Sequence, residues 1–181
     1  MKKNLFRTLV MFMTIGSTLL FTACGDDDKD EPTPPTPPTP DYKYSEVKVN
    51  YSLDLSEEYF NFWDIQVTYT TYGGEIKTET VDRDWVMEYT YTPGDDMPGE
   101  FVFNVVGVAK NPLPEPVKDK IYHFARSTQF SAIGKTVAGG TTLLGGTNSA
   151  ISSSFEARGD KLSDRLTKGI KITEGKYTIS K

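Results

Sequence analysis

The stretch Tyr44-Ser45-Glu46-Val47-Lys48-Val49-Asn50-Tyr51-Ser52-Leu53-Asp54-Leu55 decides the fold class, because apolar and polar side chains alternate along it. Apolar residues occupy the odd positions from Val47 to Leu55, and polar residues occupy most positions between them. An alternation with period two is typical of a β-strand that buries one face. We therefore predict a half-buried strand over 44–55, at the start of the folded domain.

The residues that follow this strand repeat the pattern in shorter segments. Ser56–Phe62 predicts a brief helical turn or a loop, with Ser56 as a candidate cap. Alternation resumes over 64–70, and Gly73-Gly74 indicates a hairpin turn, since glycine tolerates the positive φ of such loops. The returning segment 75–81 is polar on both faces, which predicts an exposed edge strand.

The rest of the chain predicts more strands and little helix. Strands are expected over 85–91, 101–108, 121–130 and, as one or two closing strands, 170–179. Segment 101–108 is largely apolar on both faces of the predicted strand, so this strand is expected to be central in its sheet. Leu162 and Leu166 predict a short helix over 160–168 that ends at Gly169. Segment 134–154, rich in Gly, Ser and Thr, has no periodicity and predicts no element.

About seven short strands, with turn signals between them, predict an all-β fold: an antiparallel immunoglobulin-like β-sandwich with a short helix near the C-terminus. The domain is expected to span 42–181, about 140 residues, which is enough to bury a core without a disulfide or a metal. Cys24 is the only cysteine, so the disulfide of antibody domains is absent and only the architecture is implied.

The N-terminal residues predict a secretory signal peptide over 1–23. Three basic residues precede an apolar run over 9–21, and small residues precede Cys24. The apolar run is shorter than the roughly 20 residues of a membrane-spanning helix. Phe21-Thr22-Ala23-Cys24 resembles a bacterial lipobox, with Phe21 in place of the usual leucine as in Bacteroidota-type lipoproteins. The resemblance implies that Cys24 carries acyl chains, each buried CH₂ adding about 0.8 kcal/mol of membrane affinity. The alternative is an ordinary signal peptide followed by a free cysteine.

A tether is expected over 24–41, between the cysteine and the domain. Its acidic half, Gly25–Glu31, is a self-repelling solvated tract and also resembles the export signal of Bacteroidota surface lipoproteins. Its Pro/Thr-rich half, Pro32–Pro40, is a stiff polyproline spacer that reaches roughly 28 Å. We expect attachment to the outer membrane with the domain facing the exterior; the alternative is a domain that faces the periplasm.

One part of the domain also resembles a known module. The run 64–70, Gly74, the run 78–81 and Trp85 look like a recurrent β-module of Bacteroidota lipoproteins. Such modules have no established common activity, so the resemblance implies no catalytic residue.

The charge balance argues against nucleic-acid binding. Removal of 1–23 takes away three positive charges and no acid, so the formal net charge goes from −5 to −8. Segment 24–41 holds six acids and one lysine, which leaves about −3 on the domain and no basic stripe. A protein that neutralises phosphates needs clustered Lys and Arg. We therefore expect no nucleic-acid partner.

No motif in the chain predicts catalysis, a metal or a cofactor. His123 is the only histidine, and Ser127, four residues away on the same strand, is about 13 Å distant. We interpret it as a structural or surface histidine. The loop acids lack the spacing of a calcium loop and are expected to be solvated: Asp82, Asp84, Asp95 and Asp96. A pair of glycosidase carboxylates from distant strands is an alternative that sequence does not exclude.

Aromatic side chains are the best candidates for ligand contacts, since Trp and Tyr combine an apolar face with a polar tip. Tyr69, Trp85 and Tyr89 are predicted to pack in the core or pair across strands. Trp63, at a strand entry, and Tyr72, beside the hairpin glycines, are predicted to be exposed and to contact a ligand.

These observations predict a lipid-anchored outer-membrane surface protein that acts as a non-catalytic accessory module for a glycan or protein partner. Its acyl chains are expected to be its contact with the membrane. One alternative is a structural adhesin or pilus-like subunit that assembles through the edge 75–81 or the segment 177–180. A hydrolase is the less favoured alternative.

Overall fold

The structure is a computed structural model that describes residues 43–180. The predicted signal peptide 1–23, the lipid attachment site Cys24 and the tether 24–41 lie outside the described residues. Within 43–180, no helix has the length and apolar character needed to cross a membrane.

Strands make up most of the described chain. They are β1 (Tyr44–Leu55), β2 (Trp63–Thr70), β3 (Ile76–Val81), β4 (Trp85–Tyr91), β5 (Glu100–Ala109), β6 (Ile121–Thr136), β7 (Thr141–Gly146), β8 (Ile151–Arg158) and β9 (Ile170–Thr178). Two short helices connect them, α1 (Glu57–Phe62) and α2 (Ser163–Leu166), and a 3₁₀ turn at Gly159–Lys161 precedes α2.

The strands form two antiparallel sheets that pack face to face. The five-stranded sheet has the order β4-β1-β6, with β7 and β8 pairing with successive halves of the far edge of β6. The four-stranded sheet has the order β3-β2-β5-β9. The predicted all-β sandwich is confirmed, with nine strands rather than about seven.

The additional strands come from the segment 134–154, for which sequence predicted no element. Strand β6 continues to Thr136, and β7 and the start of β8 follow. Gly146 ends β7 with φ at +80°, and a Cβ placed there would lie 2.1 Å from the Phe130 carbonyl oxygen. Glycine is therefore required at this close approach of two strands. The same small residues that permit the turn remove the apolar alternation by which a strand is recognised.

Strand β1 has the predicted bounds and face. Its odd residues from Val47 to Leu55 are buried. Tyr51 lies at the centre of the core, where its ring is 5.1–6.3 Å from five others: Tyr69, Trp85, Tyr89, Phe103 and Phe130. Its hydroxyl donates to the Thr70 carbonyl oxygen at 3.0 Å and so joins β1 to β2 of the opposite sheet. The polar atom of this large core residue is thus satisfied.

Two local predictions need correction. Ser56 does not cap α1: its hydroxyl donates to the His123 carbonyl and accepts from the Ala125 N–H, because β6 passes beside it. The helix predicted over 160–168 is a 3₁₀ turn followed by α2, which ends at Leu166 with Thr167, rather than Gly169, as its C-cap. Strand β5 is central, as predicted, between β2 and β9, and it buries one of its faces.

Candidate functional site

An open cleft of about 270 Å³ lies at the end of the sandwich where β1 begins and β4 ends. We call it the tyrosine cleft. Its walls come from the start of β1 (Tyr44, Glu46) and from Tyr91 at the end of β4, with the turn that carries Asp95. Strand pairing brings these segments together, since Val47 of β1 pairs with Tyr91 of β4. The cleft is therefore built from residues that are more than 40 positions apart in sequence.

Tyr72 lies beside this cleft and is exposed, as predicted, with 44% of its surface accessible. Its ring lies flat on the ring of buried Tyr91, with centroids 4.5 Å apart and planes 3° apart. The Tyr91 hydroxyl also donates to the Tyr72 carbonyl oxygen at 2.9 Å. One buried tyrosine thus supports both the ring and the backbone of the exposed one. The outer face of Tyr72 is a fixed aromatic surface open to solvent.

The turn that carries Tyr72 is closed by backbone hydrogen bonds. The Thr71 N–H donates to the Glu75 carbonyl at 2.8 Å, and the Gly74 N–H donates to the Thr71 carbonyl at 3.0 Å. Gly74 has φ at +87°, which other residues rarely adopt. The predicted glycine turn is confirmed, and it holds Tyr72 at the end of β2.

Asp95 is the carboxylate nearest to this aromatic pair. Hydrogen bonds from the Thr92 backbone N–H and hydroxyl hold the pKa of Asp95 below its usual range. Desolvation, followed by interaction with Asp95, raises the pKa of the Tyr72 phenol. At neutral pH the cleft therefore presents an ionised carboxylate beside a protonated phenol.

This arrangement suits a ligand that combines an apolar face with hydroxyl groups. An aromatic surface packs against the C–H face of such a ligand, and carboxylate oxygens accept hydrogen bonds from its hydroxyls. Glu46 and Asp95 supply the carboxylates, and Lys43 supplies a donor. Binding sites commonly pair an aromatic lining with a few such polar groups.

Trp63, the second predicted ligand contact, is buried, with 2% of its surface accessible, so the predicted exposure is wrong. It begins β2 with its ring in the core against Tyr59 and Phe124, and its indole N–H donates to the Lys168 carbonyl at 3.1 Å. Helix α1 closes over this end of the core and covers it. Trp63 begins the eight-residue β2 and Tyr72 follows two residues after its end, so the length of the strand, roughly 23 Å, separates them.

His123 lies on the surface of β6, as predicted. Its Nδ1 is 2.8 Å from Glu156 Oε1 on the adjacent β8, and both side chains are exposed. Within residues 43–180, the Ser127 hydroxyl accepts from the Ser152 hydroxyl at 3.0 Å and makes no hydrogen bond to this histidine. Within residues 43–180, no three acids, histidines or cysteines converge in a way that suits a metal ion.

The sequence predicted the exposure of Tyr72 but did not place Tyr91, Tyr44 and Asp95 beside it. Tyr91 lies on the same face of β4 as the core residues, so its position in the sequence predicts a core residue and gives no sign of the cleft. It is indeed part of the core. Asp95 follows the turn signal Thr92-Pro93-Gly94. That turn indicates that Asp95 lies close to the end of β4. A search of protein-family models, curated proteins and solved structures finds nothing that matches this chain.

Proposed function

We propose that this chain is a lipid-anchored surface protein of the outer membrane that binds a glycan without catalysing a reaction, as an accessory module. Phe21-Thr22-Ala23-Cys24 and the tether 24–41 support the anchored state. The observation that carries the binding function is the ring of Tyr72, which lies flat on Tyr91 and faces solvent beside a polar cleft.

A glycan fits this site better than a flat protein partner does. The tyrosine cleft is concave, and the Asp95 carboxylate that lines it interacts with the Tyr72 phenol. A sugar ring presents an apolar face and a rim of hydroxyls, so it would stack on Tyr72 while its hydroxyls donate to Asp95 and Glu46. Because the ring of Tyr72 is already held, little side-chain entropy would be lost on binding.

The test is a glycan array probed with the full chain, purified in detergent, followed by titration of any hit. Tyr72→Ala is expected to weaken binding at least tenfold, since the stacking surface is lost. Tyr72→Phe keeps the stacking surface and is expected to stay within about threefold of the wild type. Val86→Ala, which trims an exposed apolar residue on β4, is the matched control and should change nothing.

Two results would count against the proposal. One is an array without any hit. The other is a hit whose affinity is the same for the wild type and for Tyr72→Ala, because the sugar would then bind elsewhere on the chain.

A further inference from the structure

A second cleft, of about 390 Å³, lies at the opposite end of β2, where the edge strands β8 and β9 of the two sheets face each other. Four basic residues line it: Arg126 of β6, Arg165 of α2, Lys168, and Lys171 of β9. No acidic residue lines it, and its floor is aromatic, from Tyr59, Trp63 and Phe155. We call it the basic cleft.

Among the described residues, three of the four cations have no carboxylate as an ion-pair partner. Lys171 pairs with Glu174. Within residues 43–180, no carboxylate forms an ion pair with Arg126, Arg165 or Lys168. The domain as a whole carries a net charge of about −3, so a cluster of four cations is opposite in sign to the charge of the whole domain. Like charges placed together without counter-charges favour an anionic ligand.

Arg126 is held in place by uncharged groups, which leaves its charge available. Its Nη1 donates to the Lys171 and Ile172 carbonyls at 3.1 and 2.9 Å, and its Nε donates to Ser153 Oγ at 2.7 Å. The register of β9 shifts at Ile172, and this β-bulge presents two consecutive carbonyls to one guanidinium. Nη2 makes no hydrogen bond within the described residues, so it is free to donate to a ligand.

Arg165 is held over the cleft by an aromatic stack. Its guanidinium lies 5.3 Å from the Phe155 ring centroid, and Phe155 stacks on Phe124 at 4.7 Å. This cation–π contact fixes the position of the charge without neutralising it. The guanidinium also covers the outer face of Phe155, so the cleft offers no open ring on which a nucleobase would stack.

A second hollow of about 370 Å³ lies near the basic cleft but on the other face of the same sheet. It is lined by Asp54, Ser127, Ser152 and Ser154, whose side chains alternate with those of Arg126 and Ser153 along the paired strands. The Arg126 side chain points toward β9 of the opposite sheet, so the two hollows are separate and the basic cleft has to hold its ligand by itself.

We infer that the basic cleft binds an anionic ligand through a carboxylate or sulfate group. Arg165, Lys168 and the Nη2 of Arg126 would contact the acidic group. This site does not depend on the tyrosine cleft, because the two lie at opposite ends of the sandwich.

The test is a titration of the full chain, in detergent, with heparin, polygalacturonate and uncharged dextran. Binding to heparin, to polygalacturonate or to both supports the inference, and the preferred polymer identifies sulfate or carboxylate as the ligand group. The affinity is expected to fall as salt is raised from 50 to 300 mM. Arg165→Gln/Lys168→Gln is expected to weaken binding at least tenfold, and the single exposed change Lys168→Glu at least fivefold.

The matched control removes the same charge elsewhere. Lys48→Gln/Lys135→Gln neutralises two exposed lysines away from the cleft and should leave affinity within twofold. Tyr72→Ala should also leave it unchanged, which separates this site from the proposed glycan site. The inference is overturned if neither acidic polymer binds, if dextran binds equally well, or if the basic-cleft variants bind like the wild type.

Discussion

Two buried tyrosines connect separate parts of this sandwich. Tyr51 joins the two sheets through its hydroxyl, and Tyr91 joins the core to the exposed ring of Tyr72. In both cases a tyrosine packs its ring among apolar groups and satisfies its hydroxyl with a backbone carbonyl. Burial raises the pKa of Tyr51 and Tyr91 far above the usual value of a phenol. Both therefore remain protonated in the folded domain over the ordinary pH range.

Tyr51→Phe is expected to lower the free energy of unfolding at pH 7 by about 1–2 kcal/mol, because the Thr70 carbonyl loses a buried hydrogen bond. It should also weaken the alkaline dependence of stability. In the wild type, the unfolded phenol ionises above pH 10 while the buried phenol keeps its proton, so stability falls as pH rises. Urea unfolding at pH 7, 10 and 11 measures both effects.

Tyr44→Phe is a suitable control for this prediction. The Tyr44 hydroxyl makes no hydrogen bond within residues 43–180, so the variant should match the wild type at pH 7. An alkaline slope that is identical in wild type and Tyr51→Phe would contradict the assignment of that slope to Tyr51. Part of the slope should remain, because Tyr91 is also buried.

At the scale of elements, the sandwich has edges that are protected in different ways. On β3, Lys77 pairs with buried Tyr69, and Glu79 pairs with buried Val67. These two charged side chains therefore point inward, at the margin of the core. They form an ion pair at 3.0 Å, and Glu79 accepts from the Trp85 indole N–H at 2.7 Å. Burial alone would raise the pKa of Glu79, but Lys77 and Trp85 hold it below its usual range. Inward charges on an edge strand oppose pairing with another chain.

Lys77→Val/Glu79→Val is therefore expected to shift the full chain toward dimers and larger species. The expected cause is that an edge without inward charges pairs with a second copy. Size-exclusion chromatography with light scattering, on matched detergent samples, measures the change. Thr78→Val/Thr80→Val adds the same apolar residues on the outward face of β3 and should leave the mass distribution unchanged. If both double variants associate equally, added apolar surface causes the association, and loss of the inward charges does not.

The C-terminal segment, the other edge considered for assembly, is engaged by both sheets. The Ile179 N–H donates to the Gly99 carbonyl, and the Ser180 N–H donates to the Leu144 carbonyl at the outer edge of β7. Exchange of this segment between copies would first have to break these bonds.

At the scale of the whole molecule, the two clefts lie at opposite ends of one sandwich. The described chain begins at Lys43, which lines the tyrosine cleft, whereas the basic cleft lies at the far end of β2. A ligand at one end would not obstruct the other. The proposed anchor acts on the entire chain, because acyl chains at Cys24 would hold the protein at a membrane.

Cys24→Ser is expected to abolish incorporation of a clickable palmitate and to move the protein from the membrane to the soluble fraction. The physical reason is that the thiol is the attachment point for the proposed acyl chains. Labelled cells are fractionated and the protein is detected by gel fluorescence. Ser17→Ala, a small change within the same leader, should label like the wild type. A wild-type chain without label, or a labelled Cys24→Ser chain, would remove the basis for an anchored protein.

The sequence by itself determined the elements that depend on local pattern. The alternation over 44–55 predicted β1 with its bounds and its buried face, and the polar segment 75–81 predicted an edge. The exposed position of Tyr72 followed from its place beside the hairpin glycines. These features are readable because the two-residue period of a strand and the φ requirement of a turn are properties of neighbouring residues.

Only the tertiary structure decided which features come together from distant parts of the chain. Trp63 is buried because α1 and β6 close over it, although its local sequence suggests exposure. Segment 134–154 forms strands because β6 offers them an edge. The basic cleft gathers cations from β6, α2 and β9, between residues 126 and 171. Burial and convergence are set by contacts between residues far apart in sequence, and no local period records those contacts.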